Sequence, residues 1–113
     1  MTKIAFVFPG QGSQSVGMLD GFAGNASVAD VVARAGAALG EDLGGLMANG
    51  PVEQLNLTTY TQPVMLTAGV AVYAAWQAAG GPAPAVVAGH SLGEYAALVA
   101  AGSLTLEDAV RLV

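Results

Sequence analysis

Between Glu53 and Glu94 the chain runs for 40 positions without an Asp, Glu, Lys or Arg. A stretch so poor in charge either crosses a membrane or is buried on all sides in a protein core. Its longest helical segment, Pro63 to Ala79, falls short of the roughly 20 apolar residues that a bilayer requires. It also contains Thr67, Gly69 and Gln77, and no Lys or Arg flanks it as an interfacial anchor. The reading is therefore a core helix, apolar on nearly every face, with the rest of a domain packed around it. With 113 residues, 54% hydrophobic and 10% charged, the chain has material for one such core and not for two.

The flanking segments supply the partners for that helix. Lys3 to Phe8 is a short, β-rich apolar run stopped by Pro9-Gly10, which predicts a buried strand ending in a tight turn. A glycine-rich loop follows from Gly10 to Gly17. Ser27-Val-Ala-Asp30 has the spacing of a helix-capping box, and Val28, Val31, Val32, Ala35 and Leu39 recur at helical spacing until Gly40. Gly44-Gly45 and Asn49-Gly50-Pro51 read as loop, with one helical turn over Val52 to Leu55. Pro63 is placed at the first position of the long helix, Val64 to Ala78, where its missing N–H is not needed. Gly80-Gly81-Pro82 ends it. Ala85 to Ala88 is a second buried strand, Glu94 to Ala101 a helix, and Thr105-Leu-Glu-Asp108 a capping box opening a last helix with Leu106, Ala109, Val110 and Val113 on one face. Met18, Met47, Met65 and Trp76 read as core filling.

Strands separated by helices predict a parallel α/β sheet, but such sheets carry about five or six strands and only two are visible. The last helix has no stop signal before Val113. Both features predict that residues 1–113 are the first part of a longer α/β unit, which in isolation would expose apolar surface.

Several function classes fall away. Lys3, Arg34 and Arg111 stand far apart against eight acidic residues, a net charge of −5, so no basic stripe exists for nucleic acid. Cysteine is absent and histidine occurs once, which argues against a disulfide framework and against a metal site. The first apolar run is too short for a signal peptide core of about 7–15 residues; the expectation is a cytoplasmic protein with no membrane segment.

Chemistry concentrates in Gly89-His90-Ser91-Leu92-Gly93, which matches the nucleophile elbow G-x-S-x-G in its required setting of a strand before and a helix after. Glycine and serine are also ordinary turn residues, so the plain alternative is a strand-to-helix connection; the setting favours Ser91 as nucleophile. Small neighbours permit the sharp turn, and the helix start aims N–H groups at the place where an oxyanion forms. His90 is the one histidine, yet adjacent side chains on an elbow diverge, so it reads as a structural residue lining the site and the base is expected outside these residues. Glu94 in the first helical turn is favoured by the helix dipole alone. Gln62 is a candidate to reach the site from its helix start, or simply a cap. Gly10-x-Gly12 lacks the third glycine of a dinucleotide fingerprint, since Ser15 stands there. The loop instead fits beside the elbow, offering a second set of backbone donors.

With these residues in place, the sequence resembles the malonyl-CoA:acyl carrier protein transacylases of bacterial fatty-acid synthesis, and more broadly the acyltransferase domains of polyketide and animal fatty-acid synthases. The shared motifs are Phe8-Pro-Gly-Gln-Gly-Ser-Gln14, Tyr60-Thr-Gln-Pro63 and Gly89-His-Ser-Leu-Gly-Glu94, in matching order and spacing over essentially all 113 residues. Leu92 and Tyr95 look more like the stand-alone bacterial enzymes. The resemblance implies an α/β-hydrolase-like large subdomain with a ferredoxin-like small subdomain inserted, of which this chain is the N-terminal portion. It implies malonyl-CoA as substrate with no permanently bound cofactor, acyl carrier protein as partner, Ser91 as the acylated residue, and an oxyanion hole from the backbone N–H groups of Gln11 and Leu92. The family's histidine base and carboxylate-binding arginine lie beyond Val113, and Arg111 is no substitute. A serine esterase or thioesterase shares the elbow, and a non-catalytic fragment is the third reading.

Overall fold

The computed structural model describes residues 3–113. It contains strands β1 (Ala5–Phe8) and β2 (Val86–Gly89) and helices α1 (Ala26–Leu39), α2 (Leu43–Asn49), α3 (Val52–Leu55), α4 (Thr58–Ala78), α5 (Gly93–Ala100) and α6 (Leu106–Leu112), with a 3-10 turn at Asp20–Phe22. The charge-free stretch becomes α4, and among the described residues no helix is long and apolar enough to cross a membrane. Val64, Leu66, Ala71 and Ala75 of α4 are buried in one core with Val28, Val31 and Ala35 of α1, Ala96 of α5 and Val110 of α6.

The strands pair in parallel, Ala5 with Val86 through Phe8 with Gly89. Alternation along a strand sends Phe6 and Phe8 to one face and Val7 to the other. On the inner face Phe6 meets the rings of Tyr73 and Trp76 edge-on at 5.2 and 5.4 Å, and Phe8 sits against Gly69 of α4. The outer face is open: Val7 is 73% and Val86 59% exposed. A parallel sheet is ordinarily covered on both faces, so the expected apolar exposure is present. At the end of α4 the chain turns at Gly80, the Trp76 indole N–H donates to Pro82 O at 2.9 Å, and Ala85 N–H donates to Ile4 O at 2.7 Å to begin the sheet.

Three local expectations are corrected. The cap of α1 is Asn25, whose Oδ1 accepts the Val28 N–H at 3.1 Å, and Ser27 lies inside the helix. Asn25 fulfils the same geometry as a serine cap, and the Ser-x-x-Asp spacing is coincidental. The segment with Gly44-Gly45 is helix α2, capped by Asp42 Oδ1 on the Gly45 N–H at 3.0 Å. Each glycine costs about 1 kcal/mol in a helix, but Leu43, Leu46 and Met47 are all buried on one face, each worth roughly 1.5–3 kcal/mol. Burial wins. Helix α4 begins at Thr58, five residues before Pro63. The proline deprives the Thr59 carbonyl of its helical donor, and Thr59 is exposed, where water can replace it. Buried Thr61 secures the turn before it, its one hydroxyl hydrogen shared between Leu57 O, at 2.9 Å, and Leu55 O.

The capping box at Thr105 is present as expected, with Oγ1 accepting the Asp108 N–H at 3.1 Å. It places Glu107 against α1, where Arg34 Nε and Nη2 donate to its two carboxylate oxygens at 2.9 and 3.0 Å. The hydrogen bonds from Arg34, then one from its own backbone, hold the Glu107 carboxyl below the usual carboxylate range against a small desolvation effect. A carboxyl held low when folded stabilises above its unfolded pKa of about 4.3 and loses that contribution as pH falls through the folded value. Arg34 remains charged throughout. With side chains 47% and 34% exposed, the pair contributes below about 1 kcal/mol. Glu107→Gln is therefore expected to lower the thermal midpoint at neutral pH by at most about 5 °C, with the gap to the parent closing as pH falls below the ordinary carboxylate range. A gap that persists in acid would remove the ion pair as its cause.

Candidate active site

Because β1 and β2 run parallel and side by side, their carboxyl ends open at one edge of the sheet, the edge where ligands of such sheets bind. The His90 N–H continues the pairing by donating to Phe8 O at 3.2 Å. Ser91 then turns the chain with φ +53°, the one non-glycine residue at positive φ among those described. That conformation costs an L-residue about 1–2 kcal/mol. It brings the chain from strand to helix within Gly89–Gly93 and leaves Ser91 exposed at the crest.

Two close backbone approaches hold the turn. A Cβ on Gly89 would overlap the Gly93 carbonyl, and one on Gly93 would overlap the Phe8 carbonyl and lie 3.0 Å from Pro9 O. Helix α5 thus starts directly on the strand ends. A Cβ on Gly10 would stand 2.7 Å from His90 O and 3.7 Å from Ser91 Cβ, so the first loop is seated against the elbow.

The backbone donors divide into used and free. Gly93 N–H donates to His90 O at 2.9 Å, Glu94 N–H to Ser91 O at 3.0 Å and Tyr95 N–H to Leu92 O at 3.0 Å. The N–H groups of Leu92 and Gln11 have no protein acceptor among the described residues. Leu92 is fixed by its buried side chain.

The other sequence candidates are placed as follows. His90 is exposed, and its ring makes no hydrogen bond to Ser91 among the described residues. Glu94 is exposed in the first turn of α5. Gln62 stands one turn beyond Thr58 on the same face of α4, the face that receives the first loop, and it makes no hydrogen bond to the elbow. A cavity of about 520 Å³ between the 3-10 turn, α1 and α2 includes no elbow residue. A second of about 410 Å³ follows β1 from Pro9, Ser13 and Ser15 to Met65 and Gly69 of α4.

The roles of three residues of this neighbourhood escape sequence reading. Gln11 Nε2 donates to Thr58 Oγ1 at 3.1 Å, and Gln14 Nε2 donates to Asn56 Oδ1 at 2.9 Å. Gln14, Asn56 and Thr58 therefore tie the first loop to the entrance of α4. The signal available in sequence is two long amide side chains, Gln11 and Gln14, in a loop otherwise built of small residues.

A family model described as the acyl transferase domain matches residues 5–113. The malonyl CoA-acyl carrier protein transacylase of Escherichia coli strain K12 is 60% identical over 114 aligned residues, covering 100% of this chain and 37% of the relative. The crystal structure of the acyl-carrier-protein S-malonyltransferase of Burkholderia pseudomallei has a TM-score of 0.97 at 63% identity, over 98% of this chain and 36% of that one. A type II PKS acyl-carrier protein in complex with its malonyl-transacylase gives 0.93 at 50% identity, over 98% and 36%. The chain spans little more than a third of the length of these relatives.

Proposed function

Since the chain belongs to the acyl transferase domain family, we propose that it carries the nucleophile and oxyanion hole of a malonyl-CoA:acyl carrier protein transacylase. The observation that supports this most directly is Ser91, held at φ +53° with a free Leu92 N–H beside it and the Gln11 loop seated opposite. Ser91 Oγ attacks the thioester carbonyl of malonyl-CoA, and its proton passes to a base. The carbonyl oxygen takes up the negative charge, and the N–H groups of Leu92 and Gln11 stabilise it in place of water. Collapse breaks the C–S bond and releases CoA as its thiol, leaving malonyl on Ser91. The phosphopantetheine thiol of acyl carrier protein then attacks the ester through the same oxyanion geometry and returns Ser91 to its hydroxyl.

Base and counter-charge come from elsewhere in this reading. His90 is not bonded to Ser91, Arg34 is engaged by Asp30 and Glu107, and Arg111 by Asp108. The histidine and the arginine for the malonyl carboxylate are assigned to the further length that the relatives possess. Residues 1–113 then form the first portion of an α/β-hydrolase-like large subdomain, with the open sheet face and a ferredoxin-like subdomain completed by that length, and the whole acts in the cytoplasm.

The test joins residues 1–113 to the remaining length of the Escherichia coli transacylase and measures intact mass after brief exposure to malonyl-CoA. One malonyl group gained, and passed on to holo acyl carrier protein with little free malonate, is expected. Free malonate as the main product would replace the transferase by a thioesterase. The 113-residue chain alone is expected to gain no adduct.

A further inference from the structure

The loop from Pro9 to Leu19 contains no strand and no helix, yet Gln11, exposed within it, is held at three points. On its amino side, Gly10 packs against His90 O. Its side chain donates to Thr58 Oγ1 at 3.1 Å. On its carboxyl side, the Gly12 N–H donates to Gln14 Oε1 at 2.8 Å, while the other end of the same amide donates to Asn56 Oδ1 at 2.9 Å. The Gly12 N–H shares a peptide plane with the Gln11 carbonyl, so the Asn56–Gln14–Gly12 relay fixes the direction of that plane. Gly12 adopts φ +117°, a conformation that favours glycine. Asn56 and Thr58 flank Leu57 at the start of α4, and α4 is the core helix. The relay therefore refers the position of the loop to the entrance of the central buried helix.

We propose that Gln14, Asn56 and Thr58 are positioning residues that set the Gln11 N–H opposite the Leu92 N–H. The inference rests on the transacylase reading above. None of the three touches substrate; Gln14 and Asn56 act through the Gln11–Gly12 peptide and Thr58 through the Gln11 side chain. Without the relay the Gln11–Gly12 peptide is free to rotate, and its carbonyl oxygen, an acceptor, can then turn toward the developing oxyanion. Loss of one oxyanion donor lowers kcat by about 10²–10³-fold, and an acceptor turned toward the oxyanion for part of the time, with the Gln11 N–H of the adjoining Gly10–Gln11 peptide displaced alongside it, is expected to cost about 10–100-fold.

The test uses the same chimera, with steady-state kinetics for malonyl-CoA. Gln14→Leu and Asn56→Ala are expected to lower kcat by about 10–100-fold with KM within about twofold, the pattern of an interaction made only in the transition state. Gln14→Glu restores most of what Gln14→Leu loses, because one carboxylate oxygen accepts from Gly12 and the other from a turned-over Asn56 amide. Asn56→Asp restores most of what Asn56→Ala loses, because the new carboxylate accepts from Gln14 Nε2. Combining Gln14→Glu with Asn56→Asp sets two carboxylates face to face and is expected to lose activity well beyond the product of the single effects. The proposal is overturned if kcat of Gln14→Leu and Asn56→Ala stays within about twofold of the parent, if the loss falls on KM, or if the two conservative changes combine additively. Ser91→Ala separates the two levels: retained acylation there would sink the transacylase reading itself, whereas its loss alongside unaffected relay variants would sink only the positioning role.

Discussion

Ser91→Ala is expected to abolish malonyl transfer in the chimera, with kcat reduced by at least about 10³-fold and no malonyl mass gained. No neighbouring hydroxyl can replace it. Ser13 and Ser15 lie in the first loop and border the cavity along β1, and neither occupies the crest between the free Leu92 N–H and the loop. The same position carries a stability signature that a plain connecting turn would lack. At φ +53° an alanine retains the roughly 1–2 kcal/mol cost of the left-handed conformation. Glycine escapes it and gives back about 0.5–1 kcal/mol in lost chain entropy. Ser91→Gly is therefore expected to unfold at a higher temperature than Ser91→Ala although both are inactive. Equal midpoints would mean that the turn is not held as described, and measurable transfer by Ser91→Ala would remove the nucleophile.

How much of this was legible in the sequence depends on how far apart the interacting residues are. The elbow is local: strand, Gly89-His90-Ser91-Leu92-Gly93 and helix follow one another, and the structure brings them together in that order. The long core helix was legible for the same reason, since forty charge-free positions leave burial as the economical solution. Its start was not, because Pro63 is tolerated inside α4 only through the exposure of Thr59 and the hydroxyl bonds of Thr61, which are properties of the packed helix. Helix α2 was hidden by Gly44-Gly45, whose weak propensity is outweighed by a buried face that exists only once α1 and α2 pack together. The clasps from Gln11 to Thr58 and from Gln14 to Asn56 bridge 47 and 42 residues. No local spacing rule reaches that far, so the sequence presented Gln11 and Gln14 as motif letters without showing what they hold.

Gly93→Ala carries the largest expected effect on the fold, and its sign opposes helix propensity. Alanine is about 1 kcal/mol better than glycine within a helix, and Gly93 is the first residue of α5. Its Cβ, however, would overlap the Phe8 carbonyl, 2.7 Å from the Phe8 carbonyl carbon and 3.0 Å from Pro9 O. Every one of those atoms is backbone, so no rotamer change relieves the contact. Either α5 lifts from the sheet or the end of β1 moves, and β1 is fixed on its other side by Phe6 and Phe8 against Tyr73. Overpacking of this kind costs typically 1–3 kcal/mol, sometimes more, and with backbone on both sides we expect about 3 kcal/mol, read as a fall in thermal midpoint. The carboxyl end of β1 leads straight into Gly10 and Gln11, so the shift also separates the Gln11 N–H from Leu92, and kcat falls in whatever protein remains folded. Gly21→Ala is the matched control: nothing lies within 4 Å of its Cβ direction, and a change within about 0.5 kcal/mol is expected. Were Gly93→Ala as stable as Gly21→Ala, α5 would not start on the strand ends, and the geometry that lifts Ser91 above the sheet would have to be drawn differently.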